Sequence, residues 1–166
     1  MRQYLDAKRQ HRDAIVFFRM GDFYELFDED AKTAARVIHL TLTSRDKSEN
    51  PIPMAGFPHH QLDSYLAKLI AAGYRAAVCE QVEDPKKAKG LVRREVTRIV
   101  TPGTVSDLGL LKAGENNYLA AIIERGNVTG FAYVDVSTGE FRMSEMGATE
   151  AAAALEALQV REVLSP

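Results

Sequence analysis

Five aromatic side chains fall within eleven consecutive residues, Phe17-Phe18-Arg19-Met20-Gly21-Asp22-Phe23-Tyr24-Glu25-Leu26-Phe27. A ring presented outward from such a segment has a use on DNA. Inserted into a duplex, it replaces stacking at a weakened step and holds a kink. Phe23 is the candidate ring and Glu25 its candidate companion. A carboxylate beside DNA is repelled by phosphates, so it is a poor general binder and a better discriminator. It accepts from an exposed base N–H, or donates when its proton affinity is raised. Side chains two apart point to one side only in extended chain. On regular helix they lie about 200° apart. A joint role for Phe23 and Glu25 therefore requires an irregular turn, which Gly21 makes possible. The competing reading is structural. Asp22 and Glu25 are spaced as a helix N-cap and its N3 partner, with Phe23, Tyr24 and Phe27 as core aromatics. The wedge reading predicts a mostly exposed Phe23 ring, with Tyr24 and Phe27 buried.

Lys86, Lys87, Lys89, Arg93, Arg94 and Arg98 form a basic cluster. It is either a solvated surface or a set of phosphate contacts without sequence preference. His59 and His60 with Glu80 invite a metal reading, but adjacent histidines rarely face one ion and no ligand spacing supports it. Asp135 precedes Ser137-Thr138-Gly139 and reads as a turn-stabilising aspartate. The alternative, the first carboxylate of a Mg²⁺-dependent nuclease, needs several converging carboxylates. Cys79, the single cysteine, follows Ala76-Ala77-Val78 and reads as a small buried residue, not a nucleophile. No G-x-x-x-x-G-K-[ST] occurs. The chain is therefore expected neither to bind nor to hydrolyse ATP, and no cofactor or metal is expected in it.

The elements that must position these residues follow from hydrophobic patterning. The apolar, β-branched and aromatic run over residues 14–20 predicts a buried strand ended by Gly21. From Asp22 the steps Phe23, Phe27, Ala31, Ala34, Ala35 and Ile38 predict a helix. A short strand is predicted over 39–43, an exposed loop over 44–53, and a lead-in at 54–58 to a helix over 60–72. Gly73 sits at the C-terminal cap of that helix. Strands are predicted over 74–82 and 96–100. Beyond them come a strand over 117–124, a hairpin of 130–137 with 139–145, a helix over 148–158 and a strand starting at 160.

Hydrophobic residues make up 46% of the 166 and charged residues 27%, ordinary values for a globular chain. No apolar run is long enough for a membrane span, and the N-terminus lacks a secretory h-region. One cysteine excludes an internal disulfide. A cytoplasmic protein with no membrane partner is expected. Net charge is −2, but residues 1–104 hold 17 Lys+Arg against 14 Asp+Glu and the rest hold 4 against 9. This asymmetry predicts two parts with different partners. The expected organisation is a first domain over 1–104, a linker over 105–116 rich in glycine, and a partial second domain over 117–166. The fold class is α/β, a mixed sheet flanked by helices followed by a second α/β unit.

The chain resembles the N-terminal domain of the bacterial MutS family. The matching blocks are residues 17–27, Pro51-Ile52-Pro53-Met54-Ala55-Gly56, Cys79-Glu80-Gln81 and Arg98-Ile99-Val100-Thr101-Pro102-Gly103-Thr104, in the family's order with similar spacing. Asp135-Val136-Ser137-Thr138-Gly139 is similar to the start of the family's ribonuclease-H-like connector domain. The resemblance implies recognition of mispaired or unpaired bases in duplex DNA during mismatch repair. It implies that Phe23 stacks on the mispaired base and that Glu25 hydrogen-bonds to it. It also implies that Arg45, in the loop Ser44-Arg45-Asp46-Lys47, touches the DNA backbone. For the full-length family protein it implies ATP and Mg²⁺, a homodimer, and partnership with other mismatch repair proteins. On this reading the chain is a fragment that ends before the ATPase.

Overall fold

The computed structural model describes residues 1–44, 50–84, 88, 90–105 and 114–166, and among these it places two compact units, Met1–Val100 and Thr101–Pro166. The apolar run of the first unit forms strand β1, Ala14–Met20, buried on both sides over its first five residues. That pattern is the signature of a strand with both faces covered.

Immediately after β1 the chain departs from the helix expected at Asp22. Phe23–Phe27 is strand β2, antiparallel to β1, with Met20 opposite Phe23 and Phe18 opposite Glu25. Gly21 and Asp22 form the two-residue loop between them. Gly21 has φ +60, the positive value that a primed hairpin turn requires at its first position. The capping-box reading of Asp22 and Glu25 therefore fails, because Glu25 lies within a strand. Helix α2, Asp28–Ile38, starts six residues later than the periodicity implied, with Asp28, Glu29 and Asp30 in its first turn complementing the helix dipole.

The strand expected over 39–43 reduces to β3, Thr43–Ser44, and His39 sits in the left-handed region as the C-cap of α2. The stretch read as a lead-in is strand β4, Pro53–Pro58, whose residues Met54 to Pro58 pair antiparallel with the whole of β2. Its two prolines stand at the ends of the strand, where a missing N–H does least harm. A single 3-10 turn, His59–Gln61, leads into helix α3, Leu62–Ala71. Gly73, at φ +84, closes α3 as expected. Its N–H donates to the Ile70 carbonyl and that of Tyr74 to the Leu69 carbonyl, the double bond of a Schellman cap.

Strands β5, Arg75–Gln81, and β6, Arg94–Val100, complete a mixed six-stranded sheet in the order β3-β4-β2-β1-β5-β6. Pairing of β1 with β5 is parallel and the rest is antiparallel. Helix α1, Arg2–Gln10, covers one face. Tyr4 packs edge-on against Phe18 and Phe27, with Ala14, Val16, Ala77 and Cys79 beneath. On the other face Phe17, Tyr24 and Phe57 stack toward Tyr65 of α3. Asp30 ties the α1 side together. It accepts from the Tyr4 hydroxyl, the Val16 N–H and the Lys8 ammonium at 3.0, 3.0 and 2.8 Å.

The second unit holds strands β7, Tyr118–Arg125, β8, Val128–Asp135, β9, Phe141–Met146, and β10, Glu162–Leu164, with helix α4, Ala148–Ala157. Its sheet runs β10-β7-β8-β9, with β10 parallel to β7. The inward face of α4 packs through Ala151 on Ala120 and Phe131. Residues 101–105 pack within this unit: the Gly103 N–H donates to Glu162 Oε2 at 3.0 Å. Most of the expected linker, residues 106–113, lies outside the described residues.

Candidate functional site

The segment from Phe23 to Phe27 is extended, so Phe23, Glu25 and Phe27 project to one face and Tyr24 and Leu26 to the other. Phe23 is 48% exposed, Tyr24 1% and Phe27 6%, so the first is the outward ring and the other two are core, as the wedge reading expected. Glu25 stands two residues inward of Phe23 on the same face, and it is buried to 7%. Its in-sheet neighbours on β1 and β4 are Phe18 and Gly56. Gly56 is exposed, and a side chain there would meet the Tyr24 carbonyl oxygen at 2.9 Å. Glu25 is thus flanked by aromatic rings along and across the sheet on three sides, and by a residue without a side chain on the fourth. The arrangement couples a protruding ring to a recessed carboxylate. It offers a flat apolar surface for stacking and, just behind it, a group that can hydrogen-bond to a base edge.

The hairpin tip that carries Phe23 is held at several points. The Asp22 carbonyl accepts from the His59 backbone N–H at 2.8 Å and lies 3.1 Å from His59 Nδ1. His59, a candidate metal ligand from its sequence, here braces the hairpin tip. Among the described residues no group of three His, Cys, Asp or Glu side chains could hold a metal ion. His59 and His60 instead stand edge-on, with ring centroids 6.0 Å apart.

The basic residues separate into three groups. Arg45, Lys86, Lys87 and Lys89 lie outside the described residues. Arg93 is exposed and faces Glu95 at 3.4 Å, and Arg98 is half-buried on β6. Arg94 is turned inward. Its Nε donates to the Arg19 carbonyl at 2.6 Å and its Nη1 to the Val92 carbonyl at 2.7 Å, with the guanidinium 5.5 Å from the Phe18 ring centroid.

Cys79 is buried under α1, and burial pushes its thiol up to about 11, which leaves it protonated and unreactive at neutral pH. Asp135 is a buried turn residue. Its Oδ1 accepts from the backbone N–H groups of Asn117 and Ser137 and from the Ser137 hydroxyl, and its Oδ2 from Thr138 Oγ1, at 2.6–3.1 Å. Burial alone would raise the carboxyl, but the hydrogen bonds from Ser137, Asn117 and Thr138 outweigh it and hold the group at about 2. A carboxylate occupied by its own turn is poorly placed to hold a metal ion.

A depressed carboxyl stabilises the fold fully above its unfolded value of about 3.9, and that contribution is lost as pH falls through the folded value. Asp135→Asn is therefore expected to speed hydrogen exchange of the β7, β8 and β9 amides at neutral pH. The difference from the parent chain should shrink as pH drops from about 4 toward 2. A difference that stayed constant across this range would show that the charge of Asp135 does not matter.

Comparison with known proteins gives a consistent result. The description "MutS domain I" matches residues 1–109 and "MutS domain II" matches residues 117–166. The chain is 56% identical over its whole length to the DNA mismatch repair protein MutS of Solibacter usitatus, of which it covers 19%. It is 59% identical over 85% of its length to that of Rhodopirellula baltica, covering 18%. To that of Syntrophomonas wolfei it is 54% identical over 94% of its length, again covering 18%. The chain thus spans about a fifth of the length of these relatives.

Proposed function

The chain belongs to the MutS family, and from that premise we propose that it serves DNA mismatch repair by probing duplex DNA for mispaired or unpaired bases. Phe23 is the wedge and Glu25 the discriminating group. One observation carries the reading: a half-exposed phenylalanine at a hairpin tip shares a face with a buried glutamate two residues inward. A mismatch lowers the cost of unstacking, so the same wedge kinks a faulty step more cheaply than a paired one. Selectivity arises from that difference in deformation energy. Arg93, Arg98 and the lysines at 86, 87 and 89, with Arg45, supply phosphate contacts that position the duplex without reading it. ATP with Mg²⁺, a homodimeric state, other repair proteins as partners and a cytoplasmic setting belong to the same reading for the whole protein. Among the described residues no helix is long and apolar enough to cross a membrane. A nuclease centred on Asp135 is disfavoured by the occupation of its oxygens within the turn.

The test is the ratio of dissociation constants for mismatched and matched duplex at one fixed salt concentration. Glu25→Ala removes a negative charge from near the phosphates, so binding to matched duplex should hold or strengthen while the preference for mismatch falls. A Glu25→Ala protein with unaltered preference would remove Glu25 from the recognition site.

A further inference from the structure

Backbone pairing of β1 with β5 ends at Phe18 and Cys79, whereas pairing of β1 with β2 continues to Met20 and Phe23. The tip of the hairpin therefore projects beyond the ladder that anchors β1 on its β5 side. Side chains take over there. Tyr24 on β2, its cross-strand partner Arg19 on β1, and Glu80, which follows Cys79 on β5, lie in a row across three strands. The Tyr24 hydroxyl donates to Glu80 Oε1. Arg19 Nη1 lies 3.9 Å from Glu80 Oε2, and its guanidinium sits 5.5 Å from the centroid of the Tyr24 ring. Burial raises the Tyr24 phenol and the adjacent Glu80 carboxylate raises it further, so the hydroxyl remains a donor. Tyr24 lies between Phe23 and Glu25 in sequence but faces the other side of the sheet.

We propose that Glu80 is a positioning residue for mismatch recognition: through Tyr24 and Arg19 it fixes the hairpin tip from the face opposite the wedge, so that the Phe23 ring meets the duplex already oriented. The proposal rests on the wedge reading of Phe23. A tip held less firmly on its β5 side would have to be ordered further during binding, at a cost in affinity that applies where the ring must insert and not where the protein only rides on phosphates. Inward-turned Arg94 holds the Arg19 carbonyl of the same tip and acts in the same sense.

The experiment compares Glu80→Ala, Glu80→Gln and Tyr24→Phe in the full-length protein, below the onset of thermal unfolding. Tyr24→Phe deletes a single oxygen and guards against a variant that fails to fold. Glu80→Ala and Tyr24→Phe should each lower the mismatched-to-matched affinity ratio about threefold to tenfold, the range of one hydrogen bond. Matched-duplex binding should not change. Glu80→Gln keeps an acceptor for Tyr24 and should stay within about twofold of the parent. In a Phe23→Ala background none of the three should lower the ratio further, because the effect runs through the ring. A loss of melting temperature with an unchanged ratio would overturn the proposal, and so would effects that simply add to that of Phe23→Ala. Equal behaviour of Glu80→Ala and Glu80→Gln with tighter matched binding would also overturn it, since that is charge repulsion from DNA. If Phe23→Ala itself left the ratio unchanged, the wedge reading beneath the proposal would be the part that fails.

Discussion

Replacing Phe23 with alanine is expected to bring binding of a mismatched duplex down to near the level of a matched one. The ring is 48% exposed at a two-residue turn, so its removal opens no cavity in the core and should leave the fold intact. On the proposed reading, what it removes is the surface on which a displaced base would stack. Such stacking is worth roughly 1–3 kcal/mol per base, or about one to two decades in affinity. On the same reading matched-duplex binding would rest on phosphate contacts and should change little. Phe23→Tyr keeps a flat ring and should keep most of the preference. The measurement is the dissociation constant for both duplexes at fixed salt, with a thermal melt to check folding. A variant that lost affinity for both duplexes equally would mark Phe23 as a general contact.

The second large effect concerns stability. Asp30→Ala is expected to lower the unfolding free energy of the first unit by about 3 kcal/mol, the lower end for breaking a buried ion pair. The substitution removes one acceptor from each of three groups, two of which retain another. The Lys8 side chain is 30% exposed, so its ammonium can turn to water while keeping its bond to the Ala14 carbonyl. The Val16 N–H is buried, and the Tyr4 hydroxyl keeps only the Phe27 carbonyl at 3.1 Å. An unsatisfied buried donor carries the full cost of its desolvation. Urea unfolding followed by circular dichroism measures the change, and a loss below about 1 kcal/mol would show that water restores these bonds. The affinity ratio for mismatched duplex should survive in whatever fraction remains folded, because Asp30 lies at the far end of β1 and β2 from the hairpin tip.

Much of this protein was legible in its sequence because the signals were local. The apolar run of β1, the strand at β5, the helix closed by Gly73 and the Asp135 turn each depend on residues a few positions apart. The exposures of Phe23 and Tyr24 agree with the wedge reading and not with the periodicity, which set Phe23 on the buried stripe of a helix. The helix expected from Asp22 was not there, and the cause is instructive. Phe23 and Phe27 are four apart, a spacing that places two side chains on one face of a helix and equally on one face of a strand. Local periodicity could not separate the two, whereas a partner strand on each side does. Met20 opposite Phe23 and Pro58 opposite Phe23 fix the segment as extended.

By itself, then, the sequence determined which side chains are available: a ring at 23, a carboxylate at 25 and glycine at 21 to turn the chain. Only the tertiary structure decided that the ring and the carboxylate share a face, that Gly56 flanks the carboxylate, and that Arg94 turns inward. The same is true of Glu80, 56 residues from Tyr24, which closes on its hydroxyl. These relations are set by the register between strands distant in the chain. That register is chosen by the burial of whole faces together, and no window of neighbouring residues contains it.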